Sequence, residues 1–379
     1  MKKFSLSVVL TALCLSFSAQ AKEPPRLLML DEICAVPGIE CNVYFQNIFK
    51  TVNPNGYFFR VDCKKGKLMK RFWTFTPKAQ DVGTYDWKIT IFNDDGKVAE
   101  KTVKLKVLPR KDIPEGLSIM MLGDSLTDQS HYVHRLKKLA PALGMIGVNG
   151  GGGKSPAQTG IAHEGYGGWA WSGFVTERKP IPLTRLKYRK NMFLFNKNGK
   201  WCIDLEEYFK RYSNGKKPDI VTIQLGGNDI TSSTDQNIDK TLERVAGNMD
   251  KLIKILRRSL PNAIIGIGLV PCPADQNAFG HDYSCQINSY QFMKNRWKIN
   301  QLYIDKVAAY AKTDKKISLI PVVHGIDPEN AYPTAMQSPN SHTKRKVLRQ
   351  INALHPTAEG GAQMGDIYYC WLLDRLSQK

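Results

Sequence analysis

Hydrophobic and polar positions follow two different periods along the chain. Before about residue 109, apolar residues alternate with polar ones, a pattern typical of half-buried strands. A turn at Asn93-Asp-Asp-Gly96 separates two such stretches. The alternating apolar positions are Tyr85, Trp87, Ile89 and Ile91 before the turn and Val103, Leu105 and Val107 after it. We therefore expect a small all-β sandwich over residues 25–109.

A tyrosine near the end of this region suggests a particular kind of sandwich. The segment Asp81-Val-Gly-Thr-Tyr85 resembles the corner before a strand of immunoglobulin-like sandwiches, where the tyrosine hydroxyl bonds back to the main chain. The sequence thus predicts an immunoglobulin-like domain.

Strands and helices alternate after the proline-containing segment Leu108–Pro114. Short apolar runs predict strands. A 3.6-residue period predicts a helix over residues 238–256, and a second helix is expected over residues 289–312. The predicted strands are Leu117–Leu122, Ile220–Leu225, Ala263–Val270 and Ile317–Val323. This rhythm is typical of a parallel sheet covered by helices on both faces, which we expect over residues 116–376.

The amino terminus predicts export. Lys2 and Lys3 precede an apolar stretch, Phe4–Phe17, and then Ala19-Gln20-Ala21, the order of a cleavable secretory signal. We therefore expect a signal peptide over residues 1–21 and a periplasmic or secreted protein, and no other segment is long and apolar enough to span a membrane.

In an oxidising compartment Cys272 and Cys285 could pair, as could two of Cys34, Cys41 and Cys63.

Four short blocks carry the chemistry. In chain order they are Gly123-Asp-Ser-Leu126, His163-Glu-Gly-Tyr-Gly-Gly-Trp169, Gly226-Gly-Asn-Asp229 and Leu354-His-Pro356. Ser125 follows a predicted strand, His355 is a candidate base for its hydroxyl, and Asn228 could donate to the oxyanion of a tetrahedral intermediate. These are the parts of a serine esterase.

The blocks resemble those of the SGNH, or GDSL-type, hydrolase superfamily, whose signature residues fall on Ser125, Gly168, Asn228 and His355. The resemblance covers about residues 116–376 and implies a flavodoxin-like three-layer αβα fold with an oxyanion hole from Ser125, Gly168 and Asn228. Gly168 fits the family pattern better than Gly165. The His-Glu-Gly-x-x-Gly-Trp variant occurs in members that act on esterified carbohydrates, which favours removal of O-acetyl groups from a polysaccharide.

One position departs from the family. Three residues before the histidine the family usually has Asp, and this chain has Asn352. An amide oxygen can fix the imidazole tautomer but cannot offset its charge. Either Ser125 and His355 act as a dyad with Asn352 as the orienting group, or another carboxylate such as Asp327 serves.

Three further residues of these blocks, Asp124, His163 and Trp169, are candidates for substrate binding. His163 could instead brace its loop, and Trp169 could belong to the core. No cysteine or histidine spacing indicates a metal site, and we expect neither a metal nor another cofactor.

The formal net charge of +20 raises the question of an anionic partner. Basic residues cluster over 178–190 and at Lys344, Arg345, Lys346 and Arg349, so an acidic glycan or an anionic membrane could bind near the site. Nucleic acid is not expected for an exported chain without a recognised motif, and the oligomeric state stays open. Besides a carbohydrate esterase, the sequence leaves open a lipase or thioesterase of the same superfamily and a weakly active glycan-binding protein.

Overall fold

The computed structural model describes residues 27–178 and 191–378. The predicted signal peptide, residues 1–21, and the basic positions from 179 to 190 lie outside the described residues. Among the residues described, no helix is long and apolar enough to cross a lipid bilayer.

The first part of the chain is all-β apart from short helical turns, as predicted. Two sheets face each other, one with the order β1-β7-β6-β3, in which only β1 and β7 run parallel, and one with the antiparallel order β2-β5-β4. The elements are β1 (Glu32–Ala35), β2 (Cys41–Tyr44), α1 (Phe45–Ile48), β3 (Phe58–Cys63), β4 (Lys67–Leu68), β5 (Phe72–Phe75), β6 (Gly83–Asn93) and β7 (Gly96–Val107).

A separate hydrophobic core holds these two sheets together. Trp73 and Trp87 are buried in it with their rings edge to face, 5.9 Å between centroids. The Tyr85 hydroxyl donates to the carbonyl oxygen of Asp81 at 2.9 Å, which is the bond expected of a tyrosine corner. An immunoglobulin-like domain remains a prediction.

A six-stranded parallel sheet forms the centre of the second part. Its order is β10-β8-β13-β14-β15, with β9 paired to the first half of β8 on the same side as β10. The strands are β8 (Ser118–Gly123), β9 (Gly144–Ile146), β10 (Glu164–Gly165), β11 (Leu194–Lys197), β12 (Lys200–Ile203), β13 (Ile220–Gln224), β14 (Ile264–Gly268), β15 (Ile317–Ile320), β16 (Thr334–Gln337) and β17 (Val347–Gln350). β11 and β12 form one hairpin outside the sheet, and β16 and β17 form another. The order of the sheet is that of flavodoxin-like folds, and the predicted fold class is confirmed.

Helices complete the three layers. α3 packs against α12, α8 packs against α10, and the sheet lies between these pairs. The helices are α2 (Ser125–Asp128), α3 (His131–Leu139), α4 (Pro156–Thr159), α5 (Trp171–Val175), α6 (Leu205–Tyr212), α7 (Gly227–Ile230), α8 (Ile238–Ser259), α9 (Gln276–Tyr283), α10 (Ser289–Tyr310), α11 (Val322–Gly325) and α12 (Ala358–Ser377). The apolar face predicted over 238–256 is buried in α8.

The last predicted strand is shorter than expected. β15 ends at Ile320, because Pro321 has no N–H to continue the strand pairing, and Val322 begins α11.

Side-chain bonds join the two parts of the molecule. Asn47 in α1 donates through Nδ2 to the carbonyl of Ile326 at 2.7 Å, and its own carbonyl accepts from Nη2 of the buried Arg296 at 2.5 Å. The suggested disulfides are absent: the seven cysteines among the described residues are free, with Cys272 buried and Cys285 exposed.

Candidate active site

Ser125 lies at the carboxyl end of the central strand β8, as the sequence predicted. It is the first residue of α2, and Asp124 caps this helix by accepting from the Leu126 amide at 3.0 Å. A side chain at Gly123 would lie 1.9 Å from the Thr127 hydroxyl, so only glycine allows α2 to turn so closely after the strand. The turn presents the Ser125 hydroxyl at the edge of the sheet where open α/β folds bind ligands.

His355 reaches Ser125 from the opposite end of the chain. Its Nε2 lies 2.8 Å from the Ser125 Oγ, and its Nδ1 lies 3.2 Å from the Asn352 Oδ1. The same Oδ1 accepts the amides of Leu354 and His355 at 3.1 and 2.8 Å. Since amides only donate, this atom is the carbonyl oxygen, and it favours the tautomer with the proton on Nδ1. Nε2 is then free to accept the serine proton.

Asp282, at the end of α9, is the carboxylate whose charge acts on His355. Burial lowers the pKa of His355, and the charge of Asp282 opposes this by raising it. Asp282 also accepts the Ala353 amide at 2.8 Å, which ties α9 to the segment that carries His355. Sequence reasoning missed Asp282, because nothing in its neighbourhood relates it to residue 355.

Asp327, the carboxylate suggested from the sequence, has other partners. Its Oδ1 accepts the amides of Glu329 and Asn330, and its Oδ2 accepts from the Asn330 side chain at 2.9 Å. These bonds close a local turn, so the carboxylate of Asp327 does not complete a triad.

Asn228 lies in α7, just after the end of the neighbouring strand β13. Gly226, before it, has φ +118°, and a side chain there would lie 2.2 Å from the Tyr303 hydroxyl, so glycine is required. The Asn228 Nδ2 donates to the Trp169 carbonyl at 2.9 Å. A side-chain amide nitrogen carries two hydrogens, so the second one remains for a ligand.

Ser125, Asn228 and His355 line one cavity of about 90 Å³. Its other walls are mainly apolar and include Leu126, Val270, Pro271, Tyr283, Phe292 and Leu354. Gly168 is not among the described residues that line it. Gly168 is exposed at a turn, with φ +76°, and the carbonyl of the next residue accepts from Asn228.

Two carboxyl groups are buried beside this cavity. Asp124 is one of its walls, and burial, with the charge of Asp229 adding to it, raises the pKa of Asp124 to about 7. Burial likewise raises the pKa of Asp229 to about 6, and Asp229 accepts the Trp171 amide at 3.2 Å. Of the three candidates for substrate binding, only Asp124 faces the cavity.

The structure gives His163 a bracing role, in place of the predicted contact with substrate. Its side chain is 0% exposed, and its Nδ1 accepts the Gly165 amide at 3.0 Å while its Nε2 lies 2.8 Å from the Ser130 Oγ. Burial lowers its pKa to about 3, so the ring is neutral. Both ring nitrogens are therefore used within the protein.

The rest of the second block also serves to position the loop. Glu164 is fully buried and accepts from the hydroxyls of Tyr166 and Tyr208. Trp169 is 8% exposed and packs against Tyr166 and Phe174, with centroids 4.6 and 4.8 Å away. The predicted stacking of Trp169 on a sugar is thus incompatible with this placement, since neighbouring rings cover it.

Within the described residues, no group of three or more His, Cys, Asp or Glu side chains is placed to hold a metal ion.

A serine paired with a histidine at the carboxyl edge of a parallel sheet defines the class of α/β acylhydrolases. The family model described as GDSL-like lipase/acylhydrolase matches residues 119–367, well over half of the chain, so the chain belongs to this family. The family predicted from the four blocks is confirmed. No curated protein matches the chain significantly.

Solved structures resemble the fold at low identity. A family 3 carbohydrate esterase from Clostridium thermocellum is 16% identical, with 69% of this chain and 98% of that one covered and a TM-score of 0.39. A carbohydrate acetylesterase family member from Sinorhizobium meliloti is 14% identical, with 69% and 99% covered and a TM-score of 0.41. An aryl esterase from M. smegmatis is 12% identical, with 69% and 99% covered and a TM-score of 0.38. At such values the likeness says nothing about the substrate of this chain.

The placement of Asn352 and Asp282 predicts different effects of their replacement. Asn352→Ala should lower kcat/KM by about a hundredfold, because the imidazole loses its orienting acceptor, whereas Asn352→Asp should retain or increase activity. Asp282→Asn should lower kcat/KM by about fivefold, the scale of roughly 1 kcal/mol of charge stabilisation. These values are to be measured on 4-nitrophenyl acetate.

The pH dependence of kcat/KM distinguishes the charge of Asp282 from its structural role. His355 must be neutral to act as a base, and its lowered pKa places the acidic limb of kcat/KM below the ordinary histidine value of about 6.5. Removing the charge of Asp282 lowers the pKa of His355 further, so Asp282→Asn should move the limb to lower pH. Asp327→Asn is the control and should change neither rate nor limb. A collapse of activity only in Asp327→Asn would contradict this assignment.

Proposed function

We propose that this protein is an exported esterase that removes short acyl groups, most simply acetyl, from hydroxyls of a carbohydrate. The observation that carries the proposal is the small apolar cavity beside Ser125 and His355. Its volume of about 90 Å³ is well below the roughly 300–1,000 Å³ of pockets for drug-sized ligands. This cavity, which we call the acyl cavity, matches an acetyl group in size, whereas most of a fatty acyl chain would lie outside it.

The proposed reaction follows the geometry of the site. The His355 Nε2 takes the proton from the Ser125 hydroxyl as Oγ attacks the ester carbonyl. The oxyanion of the tetrahedral intermediate accepts from the free Nδ2–H of Asn228, which is held in place by its bond to Trp169. As the tetrahedral intermediate collapses, the imidazolium gives its proton to the leaving sugar oxygen, and water then releases the acyl group from Ser125 by the same steps.

The carbohydrate half of the proposal is supported by the second block. The sequence His-Glu-Gly-x-x-Gly-Trp is typical of members of the family that act on esterified carbohydrates. In this structure the block holds the loop whose carbonyl at Trp169 orients Asn228. Export is supported by the signal-like residues 1–21, and amino-terminal sequencing of the exported protein should begin at Lys22.

Turnover of 4-nitrophenyl esters of increasing chain length tests the acyl specificity. We expect kcat/KM to fall by about a hundredfold or more from acetate to octanoate, because even one or two methylenes that the cavity cannot hold cost about 1–3 kcal/mol each. Leu126→Ala, which enlarges the cavity at a half-buried wall, should shift the preference towards butyrate. Acetate release from acetylated glycans, against the same glycans after chemical deacetylation, then tests the carbohydrate.

Each alternative predicts a different result. A preference for octanoate, or acyl transfer only from thioesters, would favour a lipase or thioesterase. Absence of turnover on every activated ester, in a folded protein, would favour a binding protein.

A further inference from the structure

A second concave surface lies outside the acyl cavity, on the N-terminal β-region. We call it the sandwich groove; it has a volume of about 590 Å³ and includes Asn55, Tyr57, Phe58, Met69, Lys70 and Arg71. Its volume is within the range of ligand-binding sites. Nothing in the proposed reaction uses this surface.

The side chains of the sandwich groove combine flat apolar surface with positive charge. Phe58 is 66% exposed, Met69 is 45% exposed and Leu68 is 43% exposed, so the groove presents several large apolar side chains to solvent together, as interaction sites do. Tyr57 adds a half-buried ring that is held edge to face by Phe49, with centroids 4.8 Å apart. Such rings offer a face to a sugar, and the tyrosine adds a polar tip.

The charges of the sandwich groove have one sign. Among the described residues that line it, Lys70 and Arg71 are charged and no acidic residue occurs. Arg71 is paired with Glu329 of the catalytic region, whereas Lys70 has no ion-pair partner within the described part of the chain. A ligand that complements this groove therefore carries negative charge as well as apolar sugar faces.

The sandwich groove continues onto the catalytic region. A second groove of about 270 Å³ shares Gln46, Met69, Lys70 and Arg71 with it and extends to residues 327–330. Both carboxylates of this extension have partners, since Asp327 accepts nearby amides and Glu329 is paired with Arg71, so the charge of Lys70 stays uncompensated among the described residues. Gln46 also bonds to the thiol of Cys272, a wall of the acyl cavity. The side chain of Gln350, two residues before Asn352, donates to the carbonyls of Pro328 and Glu329 at 2.8 Å. A ligand longer than the sandwich groove would thus extend onto residues 327–330 of the catalytic region, which Gln350 ties to the segment that carries His355.

We propose that the sandwich groove binds a carboxylate-bearing segment of the same polysaccharide whose ester is cleaved at Ser125. This proposal rests on the proposed function and names the substrate class as an acidic glycan. Phe58 and Tyr57 would pack on sugar rings, and Lys70 would face a carboxylate.

Binding to the full-length Ser125→Ala protein tests the proposal without turnover. Isothermal titration with oligogalacturonate and oligoalginate, against neutral xylo-oligosaccharide of equal length, should show binding of at least one acidic oligomer and about tenfold weaker or no binding of the neutral one. Adding Phe58→Ala or Lys70→Ala should weaken acidic binding about tenfold. Matched controls are Tyr290→Ala, a 52% exposed aromatic on α10, and Lys138→Ala, an exposed lysine on α3, and neither should change it.

The outcomes separate this proposal from the proposed function. No binding of either acidic oligomer, equal binding of the neutral one, or indifference to Phe58→Ala and Lys70→Ala would overturn it, as would binding only to phosphatidylglycerol vesicles. With Ser125 intact, Phe58→Ala should leave kcat/KM on 4-nitrophenyl acetate unchanged, because that ester does not reach the sandwich groove. If binding depends on Phe58 and Lys70 but the protein releases no acetate from any glycan, glycan binding at the sandwich groove is supported and the proposed esterase activity is contradicted.

Discussion

Ser125→Ala is expected to abolish ester hydrolysis, with a loss of about ten-thousandfold or more in kcat. The reason is that the hydroxyl 2.8 Å from the His355 Nε2 is the group that forms the acyl intermediate in the proposed reaction. The measurement is turnover of 4-nitrophenyl acetate together with labelling by a fluorophosphonate probe. Labelling should disappear along with activity.

Ser172→Ala is the matched control for this variant. Ser172 is an exposed serine of α5 and does not line the acyl cavity, so its replacement should preserve both labelling and turnover. The thermal unfolding midpoint of Ser125→Ala should stay close to that of the unmodified protein, because Ser125 is only half-buried. Persistent labelling of a folded Ser125→Ala protein would show that another residue is the nucleophile.

Loss of the Asn228 side chain should lower kcat by about a hundred- to a thousandfold with little change in KM. Its second Nδ2–H is proposed to meet the oxyanion, which exists only in the transition state and the tetrahedral intermediate, so substrate binding should be spared. Steady-state kinetics of Asn228→Ala on 4-nitrophenyl acetate give both constants.

A second variant at this position separates the lost donor from a disturbed loop. Asn228→Asp keeps the shape of the side chain but replaces the donating nitrogen by oxygen, which also repels the Trp169 carbonyl and the oxyanion. It should therefore be at least as damaging as Asn228→Ala. A loss confined to KM in both variants would mean that Asn228 binds the substrate and leaves the transition state unaffected.

The active-site pair was predictable because the signals are local. Three signals can be seen in the sequence itself. They are a serine directly after an apolar run, glycines at positions where the chain turns tightly, and the short spacing between Asn352 and His355. Since carboxyl ends of parallel strands meet at one edge of a sheet, the strand pattern was enough to bring Ser125 and Asn228 to the same side.

The roles of His163, Trp169 and Asp282 could not be predicted in the same way. Whether the ring of His163 faces a ligand or Ser130 depends on which residues pack on its loop, and those come from other parts of the chain. Trp169 is covered by Phe174, and Asp282 approaches His355 only because α9 folds back on residues 350–355.

By itself the sequence determined the periods of its hydrophobic positions, and with them the all-β first part, the parallel α/β second part, the family and the Ser125–His355 pair. Those properties depend on neighbours within a few residues or on motifs kept in order. Only the tertiary structure decided the size of the acyl cavity, the carboxylate whose charge acts on His355 and the continuity of the sandwich groove with the catalytic region. Each of these depends on distances between residues far apart in the chain, and such distances are set by packing, which local pattern does not specify.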